Sequence, residues 1–90
     1  MQASDKPKHS RYASYEMVDE EAIIINLKTG ILYTLNDTAA VFWQLIDGQR
    51  TVTACAEVIA ADYEDVEAGE VEGDLLELAA EFEAEGLIVT

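Results

Sequence analysis

The sequence is poor in the residues that carry most catalysis and metal binding, since its 90 residues include one cysteine, Cys55, and one histidine, His9. A single cysteine cannot form an internal disulfide, which suits a reducing, cytoplasmic setting. Cys55 lies on an apolar helical stripe and is predicted to be a core residue. His9 lies in a polar N-terminal stretch without an evident partner, so neither a Cys–His pair nor a metal site is expected. We therefore predict a protein that has no cofactor and is not an enzyme.

Basic residues are scarce as well. Five Lys and Arg side chains stand against 19 Asp and Glu, the formal net charge is −14, and no base follows Arg50. The last forty residues hold twelve of the acids. Such a surface repels DNA, RNA and anionic membranes, and it attracts a basic peptide or a basic protein face. The plainer interpretation is that the acids only solvate a helix face; in either case no nucleic-acid or membrane partner is expected.

Long apolar runs are absent, which excludes a membrane span. The polar N-terminus also lacks the hydrophobic region of a secretory signal. Residues 1–13 contain Pro7, Ser10 and mixed charges, and we predict that they form a flexible tail. Half of all residues are apolar, and a chain of this length makes one small domain with a modest core. We place a single peptide-binding domain at residues 14–90.

The local patterns predict an α+β fold, in which a three-stranded antiparallel sheet is followed by three helices. Strands are expected at 15–18, 22–27 and 31–35, and the run Ile23-Ile24-Ile25 is typical of a strand covered on both faces. Gly30 supplies the positive φ of a three-residue hairpin loop. The first helix is capped at residues 36–38, runs to about Ile46 and stops at Asp47-Gly48. Its buried stripe is predicted at Val41, Phe42, Leu45 and Ile46, whereas Trp43 either seals the sheet or belongs to a partner surface.

Two further helices follow. Thr51 or Thr53 begins the second helix, whose predicted inward side chains are Val52, Cys55, Val58, Ile59 and Tyr63. The third begins between Val66 and Val71 and ends at Gly86, and residues 87–89 form either a small strand or a packed tail. On a helical wheel its core face carries Val71, Leu75, Leu78 and Phe82, which fall within about 60° of one another. One flank is expected to be solvated and carries Glu70, Asp74, Glu77, Glu81 and Glu85. The other flank carries Glu72, Leu76, Ala79, Ala80 and Glu83.

The third predicted strand is expected to form one edge of the sheet. Its residues, Ile31, Leu32, Tyr33, Thr34 and Leu35, include no Lys, no Pro and no bulge, which are the features that usually protect a sheet edge from pairing with another chain. An extended peptide can add to such an edge as a fourth strand. We predict that Leu75, Leu76, Ala79 and Ala80 form the opposite wall of this groove, and that Glu72 and Glu83 meet a basic residue of the peptide. The alternative is that Leu76 packs against the second helix or the C-terminal tail.

Two segments, LYTLNDTAAVFWQLIDG and VEGDLLELAAEFEAEGLI, together resemble the PqqD-like family, also called recognition elements of ribosomally synthesised and post-translationally modified peptides (RiPPs). The resemblance covers roughly residues 15–89. Its markers are Tyr33, Leu35-Asn36, Ala39-Ala40, Trp43, Asp47-Gly48, Asp74-Leu75 and Gly86-Leu87-Ile88. The resemblance implies a winged helix-turn-helix-like fold that binds the leader segment of a precursor peptide along its third strand and third helix.

Among its subtypes the sequence is most similar to the stand-alone recognition proteins of lasso-peptide biosynthesis. There the leader is handed to a leader peptidase of the transglutaminase-like cysteine protease type, which the resemblance implies as a partner besides the precursor leader peptide. The pyrroloquinoline quinone type, which serves a radical SAM enzyme, is an alternative. An acidic adaptor or homodimerisation module that uses the same strand edge stays open too. An acyl carrier protein lacks support because no serine begins a helix, and a winged-helix DNA reader lacks a basic recognition helix.

Overall fold

The computed structural model describes residues 1–90 and contains two small antiparallel sheets and three helices. In chain order the elements are β1 (Lys8–His9), β2 (Ala13–Val18), β3 (Glu21–Asn26), β4 (Leu32–Leu35), α1 (Asp37–Leu45), α2 (Val52–Ala60), α3 (Ala68–Ala84) and β5 (Ile88–Val89). The predicted α+β fold, with a three-stranded sheet followed by three helices, is confirmed. None of the three helices has the length and hydropathy needed to cross a membrane.

The larger sheet has the order β2–β3–β4, and its register pairs Ile24 with Tyr15 on one side and with Tyr33 on the other. The turn between β3 and β4 is held by Asn26, whose side-chain oxygen accepts hydrogen bonds from the backbone N–H groups of Lys28 and Thr29. Gly30 completes the turn with a φ of 79°, a conformation in which glycine carries no steric cost. Local turn chemistry therefore sets the start of β4.

The two faces of this sheet differ in what covers them. Along β3, Ala22, Ile24 and Asn26 are buried under the helices, whereas Ile23 and Ile25 point to the opposite face and are only half-buried. The prediction that the isoleucine run is covered on both faces is therefore wrong for this chain by itself. The helices supply one covering layer, and no element of the chain supplies the second.

The core is one cluster of sixteen buried residues that joins β3 to all three helices. Trp43 is fully buried, and its ring meets Phe82 edge-on with 5.7 Å between the ring centroids. The indole therefore seals the core between α1 and α3 and does not form a partner surface. Burying a ring of this size removes more apolar area from water than burying Val41. Helix α1 is therefore rotated so that Trp43 faces the core, and Val41, which was predicted to be buried, is 39% exposed.

The second helix also buries a different stripe from the predicted one. Thr51 is its N-cap and its hydroxyl oxygen accepts from the Ala54 N–H. Val52, Cys55 and Ile59 face inward as predicted, but Val58 and Tyr63 are exposed. The small residue Ala56 is buried instead.

Residues 1–13 pack against the domain, so the prediction of a flexible tail is corrected. β1 pairs with β5, placing Lys8 opposite Val89 and His9 opposite Ile88, and Pro7 is fully buried. The carbonyls of Asp5 and Ala3 accept from the N–H groups of Val52 and Thr53. The first N–H groups of a helix have no partner within the helix, and this segment satisfies two of them for α2. The pairing also shows that residues 88–89 form a strand.

Candidate peptide-binding groove

The strand β4 forms one edge of the larger sheet. The Asn26 N–H donates to the Ile31 carbonyl over 2.9 Å, so Ile31 occupies a hydrogen-bonded position opposite β3. Because such positions alternate along an antiparallel pair, the backbone groups of Tyr33 and Leu35 face β3, while those of Leu32 and Thr34 face outward. The edge therefore offers the N–H and C=O groups of Leu32 and Thr34 to an added strand.

Side chains of β4 alternate between the two faces of the sheet. Tyr33 and Leu35 are partly buried and pack against the core below the helices. Leu32 and Thr34 are exposed on the opposite face, and Ile31, just before the strand, is 50% exposed. Of the five predicted strand residues, Tyr33 and Leu35 thus provide side chains on the helix side, and Leu32 and Thr34 provide outward backbone groups.

Hydrogen bonds show which flank of α3 faces the sheet. The Tyr33 hydroxyl donates to the Glu85 carboxylate over 2.7 Å, and the Asn26 side-chain amide donates to the Glu85 carbonyl over 2.9 Å. Asp74, Leu78 and Glu81 lie on the same stripe as Glu85, since their spacing is i, i+4, i+7 and i+11. This flank, which was expected only to be solvated, is the one next to β4; we call it the β4 flank.

The other flank of α3 faces α2 and the N-terminal segment. The Thr53 hydroxyl donates to the Glu72 carboxylate, and the amino group of Met1 lies 3.8 Å from the Glu83 carboxylate. Leu76 is half-buried and packs against the core cluster. We call this the α2 flank, and its surroundings agree with the alternative that Leu76 packs against the second helix.

The structure does not bring the six predicted helix residues to the β4 edge. Leu75 and Ala79 have no exposed surface, so they are core residues and cannot form a wall that a peptide touches. Ala80 is exposed but lies beside Leu76, away from β4. Glu72 and Glu83 lie on the α2 flank, as described above. The helical wheel gave the angles between these side chains correctly, but it could not show which flank lies beside the sheet.

The groove next to β4 therefore has a different helix wall. Helical spacing places the half-buried Leu78 and the exposed Glu81 on the stripe of Glu85, so we infer an apolar floor of Tyr33, Leu35 and Leu78 with the carboxylates of Glu81 and Glu85 at its rim. Asp74, nearer the start of α3, lines a separate cavity with Ile59 and Tyr63. The sequence pattern alone predicts Leu78 in the core and the acids in solvent, and it does not by itself indicate this wall. The sequence does carry one signal for it, because Leu78 shares a helical stripe with the acids Asp74, Glu81 and Glu85.

The electrostatics of the groove are one-sided, since neither β4 nor α3 contains a Lys or Arg. The hydrogen bond to Glu85 raises the pKa of the Tyr33 phenol above its ordinary value, with smaller contributions from burial and from the charge of Glu85. The phenol therefore stays a neutral donor at physiological pH. A groove of this kind favours a peptide with apolar anchors and a positive charge at its rim.

The two reactive side chains of the chain lie elsewhere. Cys55 is fully buried, as predicted, and burial raises the pKa of its thiol, so the reactive thiolate is disfavoured. His9 has partners that the sequence analysis missed: it stacks on Trp43 at 4.0 Å, and its Nε2–H donates to the Trp43 carbonyl over 2.9 Å. Because a carbonyl only accepts, this bond places the proton on Nε2. Both residues serve packing.

Comparison with known proteins identifies similar folds. A structure described as "TbiB1 in Complex with the TbiA(beta) Leader Peptide" is 23% identical with a TM-score of 0.83, and the match covers 90% of this chain and 93% of that one. A second, described as "Lasso peptide synthetase B1 complexed with the leader peptide", is 22% identical with a TM-score of 0.82, covering 94% and 99%. No protein of curated function matches the sequence.

At the level of sequence families, the description "Coenzyme PQQ synthesis protein D (PqqD)" matches residues 21–88. The match spans β3, β4, all three helices and the start of β5, and so includes both walls of the groove. This is well over half of the chain. The protein therefore belongs to the PqqD family.

Proposed function

We propose that this protein binds the leader segment of a ribosomally synthesised precursor peptide and presents it to a modifying enzyme without doing chemistry itself. The leader adds to β4 as a fourth strand. The observation that carries the proposal is the open β4 edge, with outward backbone groups at Leu32 and Thr34, beside the apolar floor of Tyr33, Leu35 and Leu78. Strand addition supplies affinity through the backbone and specificity through alternate side chains.

The comparisons support this proposal in two ways. Both similar structures are described as complexes with leader peptides, one of them of a lasso peptide synthetase B1. Their TM-scores above 0.8 mean that the β4 edge and α3 have counterparts of the same fold. We therefore favour a lasso-peptide precursor as the ligand and a leader peptidase of the transglutaminase-like cysteine protease type as the enzyme served. The family description instead supports the alternative, a quinone-cofactor pathway with a radical SAM enzyme.

The affinity expected from this groove is moderate. Each buried apolar anchor contributes about 1.5–3 kcal/mol, and two or three anchors fit beside Tyr33, Leu35 and Leu78. Ordering a flexible leader and restricting its motion opposes much of this gain. We expect dissociation constants in the micromolar to high-nanomolar range.

The test is a titration of the protein with a fluorescent leader peptide of the precursor encoded beside its gene, read by anisotropy. A set of leader peptides is methylated at one backbone nitrogen each. An added strand donates every second N–H to β4, so methylation is expected to weaken binding with a period of two residues. A scrambled leader is the control for sequence preference. Binding that is insensitive to methylation at every position would show that the leader does not add as a strand.

A variant of the protein tests the same strand addition by changing β4 and not the peptide. Thr34→Pro removes an outward N–H without removing a bond to β3, and proline is tolerated at sheet edges. We expect strongly weakened leader binding by a folded protein, while Thr34→Ala, which keeps the N–H, binds as before. The molecular mass in solution decides the competing function: a dimer that Thr34→Pro disrupts, without any leader binding, would assign the edge to self-association.

A further inference from the structure

The face of the larger sheet opposite the helices carries an apolar patch that the fold leaves uncovered. Alternation and register place Ile23, Ile25 and Leu27 of the β3 segment on this face, with Leu32 of β4 opposite Ile25. Leu27 and Leu32 are 62% and 60% exposed, more than any other large apolar side chain of the protein. A shallow cavity lined in part by Ile23, Ile25 and Leu32 lies on the same face.

This patch has no structural use within the chain. A half-solvated antiparallel strand normally alternates apolar and polar side chains, yet β3 places isoleucine at three successive positions. Monomeric proteins rarely expose contiguous apolar surface unless it binds something. The sequence is that of a strand covered on both faces, and the chain provides only one cover.

The charges around the patch indicate which kind of partner binds it. Alternation and register place two carboxylates on this face, that of Glu16, which is paired with Ile23, and that of Glu21 at the start of β3. At the Leu27 end, Arg11 and Lys28 lie over the ring of Tyr12. A second copy of this chain carries the same net charge of −14, so overall electrostatic repulsion opposes self-association through this face. An anionic membrane surface is repelled for the same reason. A partner protein whose surface is apolar and carries a Lys or Arg opposite Glu16 is complementary to this patch.

The patch is also continuous with the β4 edge. Leu32 belongs to both, with its backbone facing outward along the sheet and its side chain on the uncovered face. A strand added to β4 extends this face by one row, since every second side chain of that strand points the same way. A protein seated on the patch therefore lies directly beside the bound peptide.

We propose that the uncovered sheet face, defined by Ile23, Ile25, Leu27, Leu32 and Glu16, is the docking surface for the enzyme that acts on the bound precursor. The enzyme presents an apolar surface with a basic residue that meets Glu16. This inference rests on the proposed function, and it adds a second site that is separate from the leader groove.

The test separates docking from leader binding. Leu27→Thr and the double variant Ile25→Thr/Leu27→Thr retain residues suited to a strand or turn, and Val58→Thr on α2, where the side chain is 44% exposed, is the matched control. Two quantities are measured for each: leader affinity by anisotropy, and the rate at which the transglutaminase-like cysteine peptidase encoded with the precursor cleaves it. Leu27→Thr is the variant that keeps the test valid if loss of the half-buried Ile25 impairs folding.

We expect the double variant to lower the cleavage rate by about tenfold or more, as loss of a central interface contact does, with leader affinity unchanged. Glu16→Lys is expected to lower it as well, and Val58→Thr to leave it unchanged. Cleavage at the normal rate by all face variants would overturn the inference while the proposed function stands. A wild-type dimer that the double variant converts to monomer would overturn it too. Failure of the wild-type protein to bind leader would instead remove the proposed function.

Discussion

The two flanks of α3 carry similar side chains and have opposite uses. On the α2 flank, Glu72 accepts a hydrogen bond from Thr53, and Leu76 packs into the core. On the β4 flank, Glu81 and Glu85 are exposed, and Leu78 shares their stripe, which Tyr33 of the open strand contacts at Glu85. The α2 flank is occupied by the fold, whereas the β4 flank is available to a ligand. An amphipathic pattern shows how polar each flank is, but only the neighbouring element decides its use.

The largest expected effect is a loss of stability, and it concerns the core-facing stripe of α3 that lies between its two flanks. Leu75 is fully buried, so Leu75→Ala removes core contacts and leaves a cavity that costs about 2–5 kcal/mol of unfolding free energy. Urea unfolding measures this loss, and the exposed Val58→Ala, expected to change stability by less than about 0.5 kcal/mol, is the control. A variant with unchanged stability and weakened leader binding would place Leu75 in the groove, as the sequence analysis predicted.

A pair of matched substitutions compares the flanks directly. Leu76→Glu and Leu78→Glu each place a charge at a half-buried position, so both are expected to lower stability by about 0.5–3 kcal/mol. Only Leu78→Glu is expected to weaken leader binding, by about tenfold, because Leu78 alone lies beside β4. Anisotropy titrations at a temperature where both variants are folded provide the comparison. The reverse result, weaker binding by Leu76→Glu alone, would mean that the peptide lies on the α2 flank.

The parts of the fold that local chemistry controls were predictable from the sequence. Gly30 marked the β3–β4 turn, Thr51 or Thr53 the start of α2 and Gly86 the end of α3, because each depends on residues within one turn of it. The position of the β4 edge followed from the order of the strands. The same reasoning placed Phe82 in the core and Cys55 among apolar neighbours.

The remaining features depend on contacts between distant parts of the chain. The pairing of Lys8 with Val89, and the bond from the Gly48 N–H to the Pro7 carbonyl, leave no periodic pattern in a short polar segment. The rotation of α3 depends on which element lies on each side of it, which no single helix encodes. Leu76 was therefore assigned to the groove and Leu78 to the core, although both are half-buried.

A smaller effect is expected from the charges of the two flanks. Glu81→Gln removes a carboxylate from the groove rim, and Glu83→Gln removes one from the α2 flank. For a leader with a Lys or Arg near the groove, we expect Glu81→Gln to weaken binding about two- to fivefold at low salt, as exposed ion pairs typically do. Glu83→Gln is expected to have no effect, and the difference is expected to shrink at high salt. Equal effects of the two variants would indicate a diffuse field and not a local contact.

The smallest effect concerns His9, which helps to hold the N-terminal segment. Burial lowers the pKa of His9 below its ordinary value of 6.5, and its hydrogen bond to the Trp43 carbonyl opposes this only in part. The folded protein thus binds a proton at His9 less readily than the unfolded chain. Stability from this residue is therefore complete above about pH 6.5, and it is lost as the pH falls from there through the lower pKa of the folded state.

His9→Phe keeps a ring that can stack on Trp43 but cannot titrate, so it isolates this contribution from that of the carboxylates, which titrate at lower pH. We expect the urea midpoint of the wild-type protein to fall between pH 7.5 and pH 5.5 and that of His9→Phe to fall less. Leader affinity is expected to be the same for both proteins over this range, because His9 touches neither β4 nor the β4 flank. Loss of leader binding with protonation of His9 would mean that the N-terminal segment and the groove are coupled, and that the two flanks of α3 do not act independently.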